Sequence, residues 1–150
     1  MQYLAKIQKD FKEAFKQKRE TEVSVLRMLQ SAIKNAEVAK KRQELTDEEV
    51  MKIIKQQIKQ HQDSIEQFEE GNREDLVRKE EKELQILQNY LPEQMGEQEI
   101  REFVKKIIAE TELTDFGPIM GKIMAEIKDK ADGNLVKKIV EEELKHEGLN

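Results

Sequence analysis

Apolar residues recur along this chain at the three- and four-residue spacing of helices that bury one face. The first stripe is Leu4, Ile7, Phe11 and Phe15, fading into Lys18-Arg19-Glu20, and the second is Val25, Leu26, Leu29, Ala32, Ile33 and Ala36, running into Lys40-Lys41-Arg42. Thr46-Asp47-Glu48-Glu49 reads as a capping box that opens a third helix along Val50, Ile54, Ile58, His61, Ile65 and Phe68. Gly71 is expected to supply that helix's left-handed end, and Asn72 to cap a fourth helix carrying Leu76, Leu84, Leu87 and Leu91. Pro92 forbids its continuation, so the stretch to Gly96 has the character of a joint. Three shorter stripes follow: Ile100, Phe103, Val104, Ile107 and Ile108; then Ile119, Met120, Ile123, Met124 and Ile127 behind Pro118; then Val136, Ile139, Val140 and Leu144 beyond the Asp132-Gly133-Asn134 turn.

This pattern predicts an all-α fold of two helical subdomains. A four-helix region covers residues 1–91, a linker 92–96, and a three-helix bundle 97–150. A chain of 150 residues holds one ordinary domain or two small ones. No apolar run reaches the roughly 18 residues of a membrane helix, so no membrane partner is expected. Cysteine is absent, which removes disulfides and thiolate chemistry, and a soluble cytoplasmic protein is the expectation from composition. Net charge is −5, yet residues 1–42 hold 11 Lys/Arg against 5 Asp/Glu while the remainder is acidic. That balance argues against a wholly basic nucleic-acid binder and leaves room for local basic faces.

Candidate chemistry is sparse. His61, Asp63 and Ser64 do not make a triad, because Asp63 projects some 200° round the helix from His61; His61 reads as a core or interface histidine with one hydrogen bond. Glu143 and His146 give a single Glu-x-x-His, whereas carboxylate-bridged metal sites need two such elements. Glu80 and Glu83 fall inside the apolar arc of the fourth helix, where structural pairing with Arg or Lys is favoured over acid–base work. An enzyme centred on Glu80, Glu83 and His61 is the least favoured reading. No catalytic residue, metal or cofactor is therefore expected. Arg27, Lys34 and Lys41 share one helix face, and Lys122, Lys128, Lys130, Lys137 and Lys138 surround the mid-helix Gly121. A solvated face is the ordinary meaning of such charges, and a phosphate-contacting surface the functional one. Gly121 itself, costing about 1 kcal/mol relative to Ala, suggests close approach of a neighbouring helix or a ligand backbone.

Six stretches in order carry a resemblance: Ser24-Val25-Leu26-Arg27-Met28-Leu29, Asp63-Ser64-Ile65-Glu66-Gln67-Phe68, Gly71-Asn72-Arg73-Glu74-Asp75-Leu76, Tyr90-Leu91-Pro92-Glu93-Gln94, Met120-Gly121-Lys122-Ile123-Met124 and Ala131-Asp132-Gly133-Asn134-Leu135-Val136. With these the chain resembles the YqeY-like family, the GatB/YqeY domain, over essentially its whole length. The resemblance implies a C-terminal part similar to the tail of the B subunit of the tRNA-dependent amidotransferase, the part that reaches the tRNA body while catalysis lies elsewhere. It implies a non-catalytic accessory protein of tRNA metabolism, with tRNA or an amidotransferase as partner; by their charge and placement, Lys122, Lys128, Lys130, Lys137, Lys138, Arg27 and Lys34 are the nucleic-acid contacts then expected. A label of carbon–nitrogen ligase with glutamine as donor would reach such a chain by association only. The alternative is a protein-interaction adaptor with no nucleic-acid contact. Phe116-Gly117-Pro118 departs from the more ordinary helical turn expected of relatives at that position.

Overall fold

A computed structural model of the chain describes residues 2–148; Met1 and the last two residues of the expected 97–150 subdomain lie outside them. The described residues form seven α-helices and one turn of 3-10 helix, with no strand. They gather into two compact units, Met1–Tyr90 and Leu91–Asn150.

The N-terminal unit is built from α1 (Gln2–Lys16), α2 (Glu20–Ala39), α3 (Asp47–Glu70) and α4 (Glu74–Gln88), with α3 and α4 packed along each other as a hairpin. Its core is Leu4, Ile7, Ala14, Val25, Leu26, Leu29, Ile33, Val50, Met51, Ile54, Ile58, Leu87 and Tyr90, joined by Leu45 from the α2–α3 loop. The α1 stripe differs from its expected course. Ala14 turns inward, Phe11 is half-buried, and Phe15 stands 63% exposed. Both 14 and 15 continue a 4-7-11 stripe, and the small side chain is the one that takes the inward place.

Thr46 caps α3 as expected, its hydroxyl oxygen accepting from Glu49 N–H at 3.2 Å. The return half of the box is altered: the Glu49 carboxylate accepts from the Thr46 hydroxyl and from Lys40 Nζ at 2.6 Å, tying the end of α2 to the start of α3. The Lys40 ammonium accordingly holds the Glu49 carboxyl below its ordinary range. At the α3–α4 turn the left-handed residue is Asn72, φ 55°, while Gly71 has φ −84°. Asn side chains tolerate this region by bonding locally. The helix boundary residue is then Arg73, without a side-chain cap bond, so Asn72 is spent on the turn and not on capping α4.

In the C-terminal unit α5 (Glu97–Glu110), α6 (Phe116–Ile127) and α7 (Gly133–His146) enclose a separate core of Ile100, Val104, Ile107, Ile119, Ile123, Ile127, Ala131, Val136, Ile139, Val140 and Leu144. Asp132 caps α7 by accepting from Asn134 N–H at 3.0 Å. The 92–96 stretch has fixed bonds of its own. Met95 N–H donates to the Lys130 carbonyl at 2.8 Å, and Gln94 Nε2 donates to the Asp129 carbonyl at 2.8 Å, so this segment braces the 3-10 turn Lys128–Lys130. Phe116-Gly117-Pro118 forms the first turn of α6 behind Asp115.

Candidate functional site

The seven residues expected to meet nucleic acid fall on both units. Arg27 and Lys34 lie on α2, and both are exposed. The Arg27 guanidinium is 5.9 Å from the centre of the Phe11 ring, a cation–π contact, and it lines a groove with Phe15, Lys18, Glu20, Val23 and Ser24.

The other five, all lysines of the C-terminal unit, occupy α6 (Lys122), the 3-10 turn (Lys128, Lys130) and α7 (Lys137, Lys138), and all are exposed. None of them takes part in an ion pair among the described residues, unlike Arg19, Lys40, Arg73 and Arg101. Lys128 has φ 51° and ψ −120° where α6 breaks into the 3-10 turn. That conformation suits glycine and costs a residue with a Cβ about 1–3 kcal/mol.

Packing does not explain Gly121. A Cβ built there meets no atom within 4 Å, and the same holds at Gly117 one turn earlier. Both are exposed, so the expected approach of a neighbouring helix is replaced by bare backbone open to solvent.

A second cluster lies inside the N-terminal hairpin. His61 on α3 stands ten residues before Gly71 and Glu80 on α4 nine after it, so an antiparallel hairpin sets them opposite each other. Glu83, one turn beyond Glu80, shares its face. The contacts follow: His61 Nδ1 donates to Glu80 Oε2 at 2.5 Å and sits 3.7 Å from Glu83 Oε2. The three side chains are 15%, 19% and 14% exposed. Glu80 and Glu83 thus meet an imidazole and not the Arg or Lys that their position in an apolar arc suggested. Asp63 is exposed, apart from this group.

A third polar group escaped sequence reasoning altogether. Arg101 on α5 donates from Nη1 to Glu143 Oε1 at 2.8 Å, and from Nη2 to Glu142 Oε2 at 2.9 Å and Glu97 Oε1 at 3.3 Å. Those bonds, the Glu143 one foremost, raise the Arg101 pKa still further above its ordinary value and keep it charged. Glu143 is 4% exposed, and its Oε2 has no partner among the described residues. Its bond to Arg101, with His146 exposed in the last turn of α7, makes Glu143 a structural carboxylate. The signal was weak: a single Arg within an acidic helix face, 42 residues from its partner.

An all-helical protein of two small units, with exposed lysines on the second and a His–carboxylate group in the first, is the class these observations define. The family model described as Yqey-like protein matches residues 4–144, and the chain belongs to the YqeY-like family. It is also similar to curated proteins named altered inheritance of mitochondria protein 41, mitochondrial. One from Pyrenophora tritici-repentis is 37% identical over 93% of this chain and 79% of its own length. One from Clavispora lusitaniae is 30% identical over 84% and 74%, and one from Lachancea thermotolerans 38% identical over 59% and 47%. These names overturn the cytoplasmic expectation. Lack of cysteine and of long apolar runs suits more than one aqueous compartment, so composition never distinguished the cytoplasm from the interior of an organelle.

Proposed function

We propose that this chain is a non-catalytic accessory protein of tRNA metabolism whose C-terminal unit meets the phosphate backbone through Lys122, Lys128, Lys130, Lys137 and Lys138. The observation that carries this reading is Lys128: an exposed cation held in a backbone conformation that glycine would adopt at lower cost, beside a helix whose Gly117 and Gly121 leave the main chain bare. Unpaired lysines give sequence-independent attraction to phosphate, and an uncovered helix backbone admits the close approach of a sugar–phosphate strand. Arg27 and Lys34 would make contacts of the same kind, separately, on the first unit. By the names of its relatives, the compartment we propose is the mitochondrion.

Titrating the full chain against fluorescently labelled tRNA at low salt tests this. Saturable binding is expected, weakened by salt; a flat anisotropy trace, alone and with an amidotransferase present, removes the reading. Lys128→Gly makes a sharper case. Relief of the strained φ should raise the unfolding free energy of the C-terminal unit by about 1 kcal/mol while tRNA affinity falls. A stabilised variant that binds tRNA as well as the parent would show that this lysine is not there for phosphate.

A second reading, a protein-interaction adaptor, is favoured by Phe15 and Met28, 63% and 61% exposed on neighbouring helices. Phe15 and Met28 changed together to Ser would then abolish capture of a stoichiometric protein partner that survives nuclease, and leave tRNA titration unchanged.

A further inference from the structure

We infer that His61, Glu80 and Glu83 form a binding site for one divalent transition cation of the Zn2+ type, clamping α3 to α4.

The donor set selects the ion. One imidazole nitrogen with two carboxylate oxygens suits Zn2+ and its first-row neighbours, whereas Mg2+ and Ca2+ take oxygen donors alone. The geometry is close to what such an ion needs. One ligand atom from each residue lies within 4.8 Å of the others. Ligands bonded at roughly 2.0–2.1 Å in tetrahedral array stand about 3.3 Å apart. The 3.7 Å between His61 Nδ1 and Glu83 Oε2 is near that value, and the 2.5 Å to Glu80 Oε2 opens to it by rotating the Glu80 carboxylate as the cation takes the place of the Nδ1 proton, which is released to water.

Charge supplies a separate argument. Two carboxylates, each under a fifth exposed, converge on one imidazole, and neither is paired with Lys or Arg among the described residues. Partial burial weakens water's screening of that excess negative charge, and a dication neutralises it. Two packed helices supply the ligands, so the site is preorganised, while the remaining exposure leaves a path for the ion and room for water as a fourth ligand. This site lies wholly in the N-terminal unit and does not depend on the tRNA reading.

Calorimetric titration of the chelator-treated full chain with Zn2+, and separately with Mg2+, tests it. One equivalent of Zn2+ should bind with a dissociation constant on the order of micromolar or tighter, Mg2+ should give no comparable heat, and saturating Zn2+ should raise the N-terminal unit's thermal midpoint. Glu83→Gln keeps the side chain's shape and the His61–Glu80 bond, so it should fold, verified by its helical circular dichroism, yet weaken Zn2+ at least tenfold. The chain has two histidines. Zn2+ should therefore shift the side-chain nitrogen resonances of His61 and leave those of His146. Absence of stoichiometric binding, unchanged affinity in Glu83→Gln, or loss of binding in His146→Ala would each overturn the assignment.

Discussion

Arg101→Met is expected to lower the thermal midpoint of the C-terminal unit by roughly ten degrees, among the largest losses a single change outside the apolar core should cause. Met preserves most of the stem's packing, so the change isolates the charge. What remains is Glu143, 4% exposed, with one carboxylate oxygen already without a partner among the described residues and the other deprived of the Arg101 guanidinium. An unpaired buried charge costs far more than an ion pair contributes. Glu97→Gln supplies the contrast. That carboxylate is 64% exposed and touches Arg101 at 3.3 Å, so its loss should be close to neutral. Differential scanning calorimetry of the two variants, with the C-terminal transition followed separately, measures both; equal and small shifts would mean that Glu143 relaxes toward water and the group is not buried in practice.

Tyr90→Phe should produce the second large effect, this one in the N-terminal unit. The Tyr90 hydroxyl donates to Asp10 Oδ2 at 2.5 Å from a ring that is 6% exposed. A hydrogen bond to a charged group contributes about 1.5–3 kcal/mol, and removing the hydroxyl also leaves Asp10 short of a donor. The same contact sets an alkaline limit. Burial, then the bond to Asp10 and its charge, then the charge of Glu22, push the Tyr90 phenol well above its ordinary value. In the unfolded chain Tyr ionises near about pH 10. The folded pKa is raised, so the stabilisation is whole below that pH and is lost as pH climbs toward the folded value. Phenolate absorbance should thus grow together with loss of helical circular dichroism above about pH 10, and in Tyr90→Phe that coupling should vanish. A Tyr90 phenolate forming while the helices remain intact would contradict it.

These two groups also mark where sequence reasoning ended. Periodicity located the seven helices of the described residues because each turns an apolar stripe toward a core: Ile119, Ile123 and Ile127 on α6 sit where a helix of that phase must place them, and only α4, with Leu87 its one buried residue, does so weakly. It erred where two neighbouring positions fit the same arc. Phe15 was as eligible as Ala14, and only tertiary packing decides between a ring and a methyl group. Asn72 was open to two roles, and the turn claimed it before α4 could. Polar partners were legible in proportion to their locality. Thr46 and Glu49, three residues apart, declared themselves; Asp10 and Tyr90, eighty apart, and Arg101 with Glu143, forty-two apart, could not. The His61–Glu80–Glu83 group lay between these cases. Its members stood out as polar residues on apolar arcs, and reflecting the chain about Gly71 would have set them together.

The lysines are the reverse case, since exposure was what their sequence context implied and the structure leaves all five in solvent. What the fold adds is their setting: a strained Lys128, a 3-10 turn braced by Gln94 and Met95, and an uncovered Gly121. No helix among the described residues is long and apolar enough to cross a membrane.

The most direct measurement is the salt dependence of tRNA binding by the full chain, set beside that of a variant with Lys122, Lys128, Lys137 and Lys138 all changed to Gln. If these side chains reach phosphate, log K should fall linearly with log salt in the parent, and the slope should shrink in the variant by roughly one for each contacting lysine. Identical slopes, or no saturable binding by the parent at low salt, would contradict a phosphate-reading surface on the C-terminal unit.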